Sequence, residues 1–237
     1  MNFKILAVSA LCSQMLVACG GGGGGTSTGA PVAVQLPPVT VAASGPTIAL
    51  DAAFTNLYAA PHNFDRTETD PATGTTYRGV ADFAVGPDTT KEGNVVKSAT
   101  VRRALIKNGT VIRQSSEVSY FQTVPYKLIA TQSLDSSLYQ VVSGQNPLPT
   151  EAKAGQSGQF YNATVYDSAE KKTVLSTSTY KWEIKADTAT SLIFCVNSTT
   201  TVPNVPGTAT DSDCYRVNAP DGDKPSVVTA VLFVAPK

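Results

Sequence analysis

The fold class is decided by Val95–Lys107 (VVKSATVRRALIK), Asn108-Gly109 and Thr110–Thr123 (TVIRQSSEVSYFQT). Two extended runs flank a dipeptide whose residues both tolerate positive φ. That pair makes the two-residue reversal that suits the right-handed twist of paired strands. The stretch predicts a long antiparallel ribbon.

The same signal continues outward. From Thr76, apolar positions recur with period two: Tyr77, Ala81, Phe83 and Val85 share one face, Arg78 and Asp82 the other. Residues 126–132, 138–142 and 159–167 extend the series, separated by Ser, Asp, Gly and Pro clusters. The run 167–172 turns into 173–185, where Val174, Tyr180, Trp182 and Ile184 are expected to meet the core and Lys181, Glu183 and Lys185 to face away. Residues 190–197 and 214–217 follow as candidate neighbouring strands, and 227–234 ends the series after the turn Asp221-Gly222-Asp223. Only Asp51–Ala60 reads as a helix, with Phe54, Leu57 and Tyr58 at i, i+3 and i+4, Asp51 placed to cap it and Pro61 to stop it. A lone short helix needs a larger body to dock on, and a sheet is the expected one. About nine strands without helical crossovers predict a single mainly β domain over residues 46–237: an antiparallel meander forming a barrel or sandwich, with one short N-terminal helix.

The N-terminus carries a different message. One positive charge at Lys4 precedes a mostly apolar run from Ile5 to Val17, too short to span a bilayer comfortably, as in a secretory signal over residues 1–18. Leu16-Val17-Ala18-Cys19-Gly20 resembles the lipobox of bacterial lipoproteins, in which small residues precede an obligatory cysteine. The resemblance implies that Cys19 becomes the mature N-terminus and receives a diacylglycerol. It also implies a membrane partner reached through that lipid, with Gly20 after the cysteine favouring the outer membrane over aspartate-directed retention. Several acyl chains hold far more durably than one. Residues 19–45, with the run Gly20–Gly25 and then Pro31, Pro37 and Pro38, read as a tether.

Composition narrows the functions. Eighteen Lys and Arg against eighteen Asp and Glu leave no basic footprint, so nucleic acid is not an expected partner. Cys12 leaves with the signal and Cys19 is lipidated, so Cys195 and Cys214 are expected to form a disulfide in an exported protein. Two thiols alone do not make a metal site.

Catalytic signals are weak. His62 is the single histidine and lies beside Pro61, without a Gly-x-Ser-x-Gly elbow; it reads as a loop or docking residue. Ser157, in Gly155-Gln156-Ser157-Gly158, reads as a turn residue. Asp65, Glu68 and Asp70, and separately Asp211, Asp213, Asp221 and Asp223, offer oxygens to calcium but lack EF-hand spacing; solvated turn acids are the expectation. No catalytic residue, metal ligand or cofactor is assigned. The nine Tyr, eight Phe and one Trp either fill a core or line a cavity for an apolar ligand. The expected function is a non-enzymatic, membrane-anchored binding or scaffolding module. A lipocalin-like or lipoprotein-carrier-like barrel is the alternative, and a hydrolase is third. The protein or small-molecule partner stays unassigned.

Overall fold

A computed structural model describes residues 45–69, 73–123 and 125–233. The signal segment, Cys19 and all of the tether except Gly45 lie outside the described residues, as does Asp70. The elements are α1 (Leu50–Ala59), β1 (His62–Thr69), β2 (Thr76–Val85), β3 (Thr89–Lys91), β4 (Asn94–Lys107), β5 (Thr110–Thr123), β6 (Tyr126–Ser133), β7 (Tyr139–Ser143), β8 (Ser157–Tyr166), β9 (Val174–Ala186), β10 (Ser191–Thr201), β11 (Ala209–Asn218) and β12 (Val227–Phe233). One antiparallel sheet runs β1-β2-β4-β5-β6-β7-β8-β9-β10-β11-β12, each strand beside the next along this path. Its edges, β1 and β12, approach each other and α1 packs against β12, so the meander nearly closes into a barrel.

Local chemistry explains the pieces. Asn108 and Gly109 both take positive φ, 48° and 83°, and reverse β4 into β5 as the dipeptide predicts. The helix buries Leu50, Ala53, Phe54, Leu57 and Tyr58 on one stripe and ends where Ala60 turns extended before Pro61. Tertiary bonds anchor its start: the Ala49 amide donates to Ser226 Oγ and the Leu50 amide to Pro149 O, both at 3.0 Å. Thr55 Oγ1 donates to Thr123 O at 3.0 Å and ties the helix to the end of β5. The barrel therefore has a helix end and, opposite it, a hairpin end that carries the Asn108-Gly109 turn.

Two cores result. The main one lies inside the barrel, where Phe54 meets Phe194 and Tyr215 at ring separations of 5.0 and 5.1 Å, and Tyr58 meets Phe83 and Phe121 at 5.5 and 5.1 Å. A smaller one gathers Val96, Tyr120, Ile129, Ala130 and Tyr139, on the opposite face of the same strands. The β3–β4 hairpin covers it: Lys91 Nζ sits 4.6 Å from the Tyr120 ring, and Glu92 accepts from Tyr139 Oη at 3.1 Å and from Lys171 Nζ at 2.7 Å.

The structure corrects several expectations. There are twelve strands among the described residues: the ten extended runs named from the sequence, counted there as about nine, together with β1 and β3. The β1 sequence, His62-Asn63-Phe64-Asp65-Arg66-Thr67-Glu68-Thr69, is polar at all but one position, as suits an edge strand. Asp51 does not cap the helix; Ala49 holds the cap position and the Asp51 carboxylate accepts instead from the Ala52 amide at 2.7 Å. Val174 opens β9 exposed, outside the core that its face otherwise joins.

Candidate functional site

The interior changes character along the barrel axis. Toward the helix end it is aromatic and aliphatic. Toward the hairpin end the inward positions of β5, β6, β7, β9 and β10 include Glu117, Ser119, Thr131, Gln140, Ser178, Ser198 and Thr200, all buried. On β4, Arg103 follows Ala99 and Val101 on the inward face and precedes Leu105. Strand alternation delivers these side chains inward whatever their polarity.

At the centre, Arg103 Nη1 lies 3.4 Å from Glu117 Oε1, and Arg103 Nη2 donates to Tyr215 Oη at 3.2 Å. Their side chains keep only 11% and 6% of their surface exposed, so the pair is desolvated. Burial pushes the Glu117 carboxyl up to about 7; the Arg103 charge opposes that rise and nearby Asp213 adds to it. Burial also works against the Arg103 charge, but Tyr215, Asp213, Glu117 and Tyr58 outweigh it and raise its pKa well above the ordinary value. The hydroxyls of Tyr126, Tyr161 and Tyr215 are raised first by burial and stay protonated donors. Nearer the hairpin end, Arg113 Nη2 donates to Asp211 Oδ2 at 2.8 Å, joining β5 to β11 across the interior.

These groups surround a cavity of about 80 Å³, with Phe54, Tyr58, Tyr126 and Phe160 on its aromatic side and Arg103, Glu117, Thr131, Gln140, Ser198, Asp211 and Asp213 on its polar side. Arg103 Nε, Glu117 Oε2 and Thr131 Oγ1 are buried and have no hydrogen-bond partner within the protein. Buried polar atoms ordinarily find one, so these three mark a place for a polar guest.

The residues singled out from sequence are dispersed. Cys195 and Cys214 are register partners on β10 and β11, joined by a disulfide with Cα atoms 4.0 Å apart. His62 belongs to strand β1, not a loop, and donates through Nε2 to Asn56 O at 3.1 Å. Asp65 is a strand residue as well; Arg78 Nε donates to it at 2.9 Å, which holds its carboxyl below the usual range. Glu68 is likewise on β1 and pairs with Arg66. Ser157 opens β8 instead of occupying a turn. Asp211 and Asp213 lie on β11 and line the interior, whereas Asp221 and Asp223 fall in and beside the turn before β12. Among the described residues, no group of three or more His, Cys, Asp or Glu side chains is placed to hold a metal ion.

No protein-family model matches this chain, and neither does any curated protein or solved structure.

Arg103 and Glu117 escaped the sequence reading although a signal was present. Each is a charged residue on the apolar parity of its strand, Arg103 between Val101 and Leu105 and Glu117 two before Ser119 and four before Phe121. A charge at that parity is expensive unless it is paired, and its partner comes from a neighbouring strand.

Proposed function

We propose that this protein is a non-enzymatic bacterial envelope lipoprotein, anchored through Cys19, whose barrel is a binding or scaffolding module at the membrane surface. The observation that carries the reading is the distribution of exposed aliphatic side chains. Of the nine exposed large aliphatic side chains among the described residues, Val111, Ile112, Leu134, Val174, Val202 and Val205 sit at the hairpin end, in strand starts or in the loops after β6 and β10, while Val85, Val95 and Val227 sit at the helix end. Residues 45–49 enter at the helix end, so the apolar end points away from where a tether would attach. Six exposed aliphatic side chains close together at that end, twice the number at the other, favour a protein partner there.

The filled interior supports surface binding over carriage of an apolar ligand, because pockets for drug-sized molecules start at about 300 Å³. Two experiments test the reading. Cys19→Ala is expected to abolish metabolic labelling by an alkynyl palmitate and to move the protein from the membrane to the soluble fraction; unchanged partitioning overturns the anchor. Native mass spectrometry of the detergent-extracted protein from its host is expected to show a bound protein that Ile112→Asp removes. A mass for the protein alone, unchanged by that substitution, overturns the binding surface.

A further inference from the structure

The polar half of the barrel interior is built as a receptor for a charge it does not itself supply. Four charged side chains line the cavity: Arg103 against Glu117, Asp211 and Asp213. Arg113 neutralises Asp211 from β5, and Arg103 can offset only one of the remaining two carboxylates. With all of them ionised the site is one positive charge short, and in a desolvated interior such an imbalance attracts either a proton or a cation. Glu117 Oε2 and Thr131 Oγ1 offer it oxygens with no protein partner, on residues only 4% exposed. Tyr58, Tyr126, Tyr161 and Tyr215 line the same cavity, and tyrosine rings attract cations.

We propose that this cavity is a binding site for a small primary ammonium group, held by Glu117 Oε2, the Thr131 hydroxyl and the surrounding tyrosine rings. Its volume of about 80 Å³ admits a guest of a few heavy atoms, roughly half the space of an engineered cavity that accepts benzene. Side-chain exposure falls from 37% at Arg113 and 14% at Asp211 to 6% at Glu117, so the route in runs from the hairpin end past the Arg113–Asp211 pair. The groups that face Glu117 from other elements are Arg103 on β4, Tyr126 on β6, Asp213 and Tyr215 on β11, and Tyr58 on α1. Proton and guest compete for one carboxylate. Below about pH 7 the ammonium displaces the Glu117 proton to solvent, and above it the carboxylate is already vacant. This inference does not depend on the lipid anchor.

The chain contains one tryptophan, Trp182, whose register partner Val196 lines the cavity, so its fluorescence reports occupancy. Methylammonium chloride is titrated into the full-length protein in detergent at pH 8.0 and pH 5.5, which are buffer choices spanning the Glu117 transition at about 7. Sodium acetate at equal ionic strength is the charge control and tetramethylammonium the size control. N-acetyl-lysinamide presents the same ammonium on a longer stem and separates a free amine from one carried on a larger molecule. Methylammonium, N-acetyl-lysinamide or both are expected to saturate at pH 8.0 and to bind about thirtyfold more weakly at pH 5.5. Glu117→Gln is expected to weaken binding at least tenfold, on the order of 1.4 kcal/mol. Thr131→Val, which replaces the hydroxyl by a methyl group, is expected to weaken it by a few fold. If Glu117→Gln does not fold, the pH ratio and Thr131→Val decide. Absence of saturation by either amine at pH 8.0, equal response to acetate, or affinity independent of pH overturns the proposal and leaves the cavity to water.

Discussion

At the helix end of the barrel, the interior holds rings packed edge to face, Phe54 against Phe194 and Tyr215, Tyr58 against Phe83. Toward the hairpin end, the same inward faces of the same strands carry a guanidinium, carboxylates and hydroxyls, three of whose polar atoms have no partner. Both halves obey one alternation rule, so the backbone does not distinguish them. They differ in what holds them. Apolar rings gain from burial in any close-packed arrangement, while charges and hydroxyls gain only where a partner of the right geometry arrives. The aromatic half supplies stability; the polar half spends some of it and obtains a chemically selective space.

The sharpest way to break this contrast is at Phe54, which touches Tyr126, Phe194 and Tyr215. Phe54→Ala is expected to cost about 3–5 kcal/mol in urea denaturation, because it empties the contact between helix and barrel. A cost below about 1 kcal/mol would mean that the Phe54 ring contacts do not hold α1 to the barrel.

The Cys195–Cys214 bridge staples β10 to β11 beside Asp213, at the border of the polar half. Replacing both cysteines by alanine is expected to cost about 3 kcal/mol, since the reduced chain regains the entropy of a loop of about 20 residues. The denaturation midpoint with and without reductant, wild type against variant, measures it.

Glu117 separates the halves through pH. Its folded pKa of about 7 lies above its ordinary 4.5, so the folded state holds the proton more tightly than the unfolded chain does. The resulting stability is fully present below about pH 4.5 and is lost as pH rises to about 7. Glu117→Gln removes this dependence. The variant is therefore expected to gain on the wild type by up to about 3 kcal/mol between those limits, read from melts across the range. Parallel curves for the two proteins would show that folding leaves the Glu117 pKa at its ordinary value.

The smallest effect has the opposite sign to that at Phe54. Thr131→Val replaces a buried hydroxyl that has no protein partner, and is expected to stabilise the empty protein by about 1 kcal/mol in the same denaturation assay. Destabilisation of similar size would mean that an ordered water already satisfies Thr131.

Much of this architecture was legible along the chain. The β4–β5 ribbon and its turn, the helical stripe of Phe54, Leu57 and Tyr58, and the alternation in β9 are local patterns, because side-chain direction in a strand or helix repeats every few residues. β1 was hidden since its single aromatic, Phe64, is surrounded by polar residues that an edge strand tolerates. β3 is three residues long, too short for any period to emerge. The acids at 211 and 213 were visible as residues but misread as turn acids, because nothing local distinguishes a solvated aspartate from one that closure brings opposite an arginine.

The sequence by itself determined the strand series apart from β1 and β3, the antiparallel sense set by short turns, the disulfide partners and the lipobox resemblance at Cys19. Tertiary structure alone decided that the sheet curls into a barrel and that Arg103 reaches Tyr215, 112 residues away, and Arg113 reaches Asp211, 98 residues away. Alternation is written residue by residue, whereas contact across a barrel depends on the summed twist and stagger of every strand between the partners. No window of sequence contains that sum.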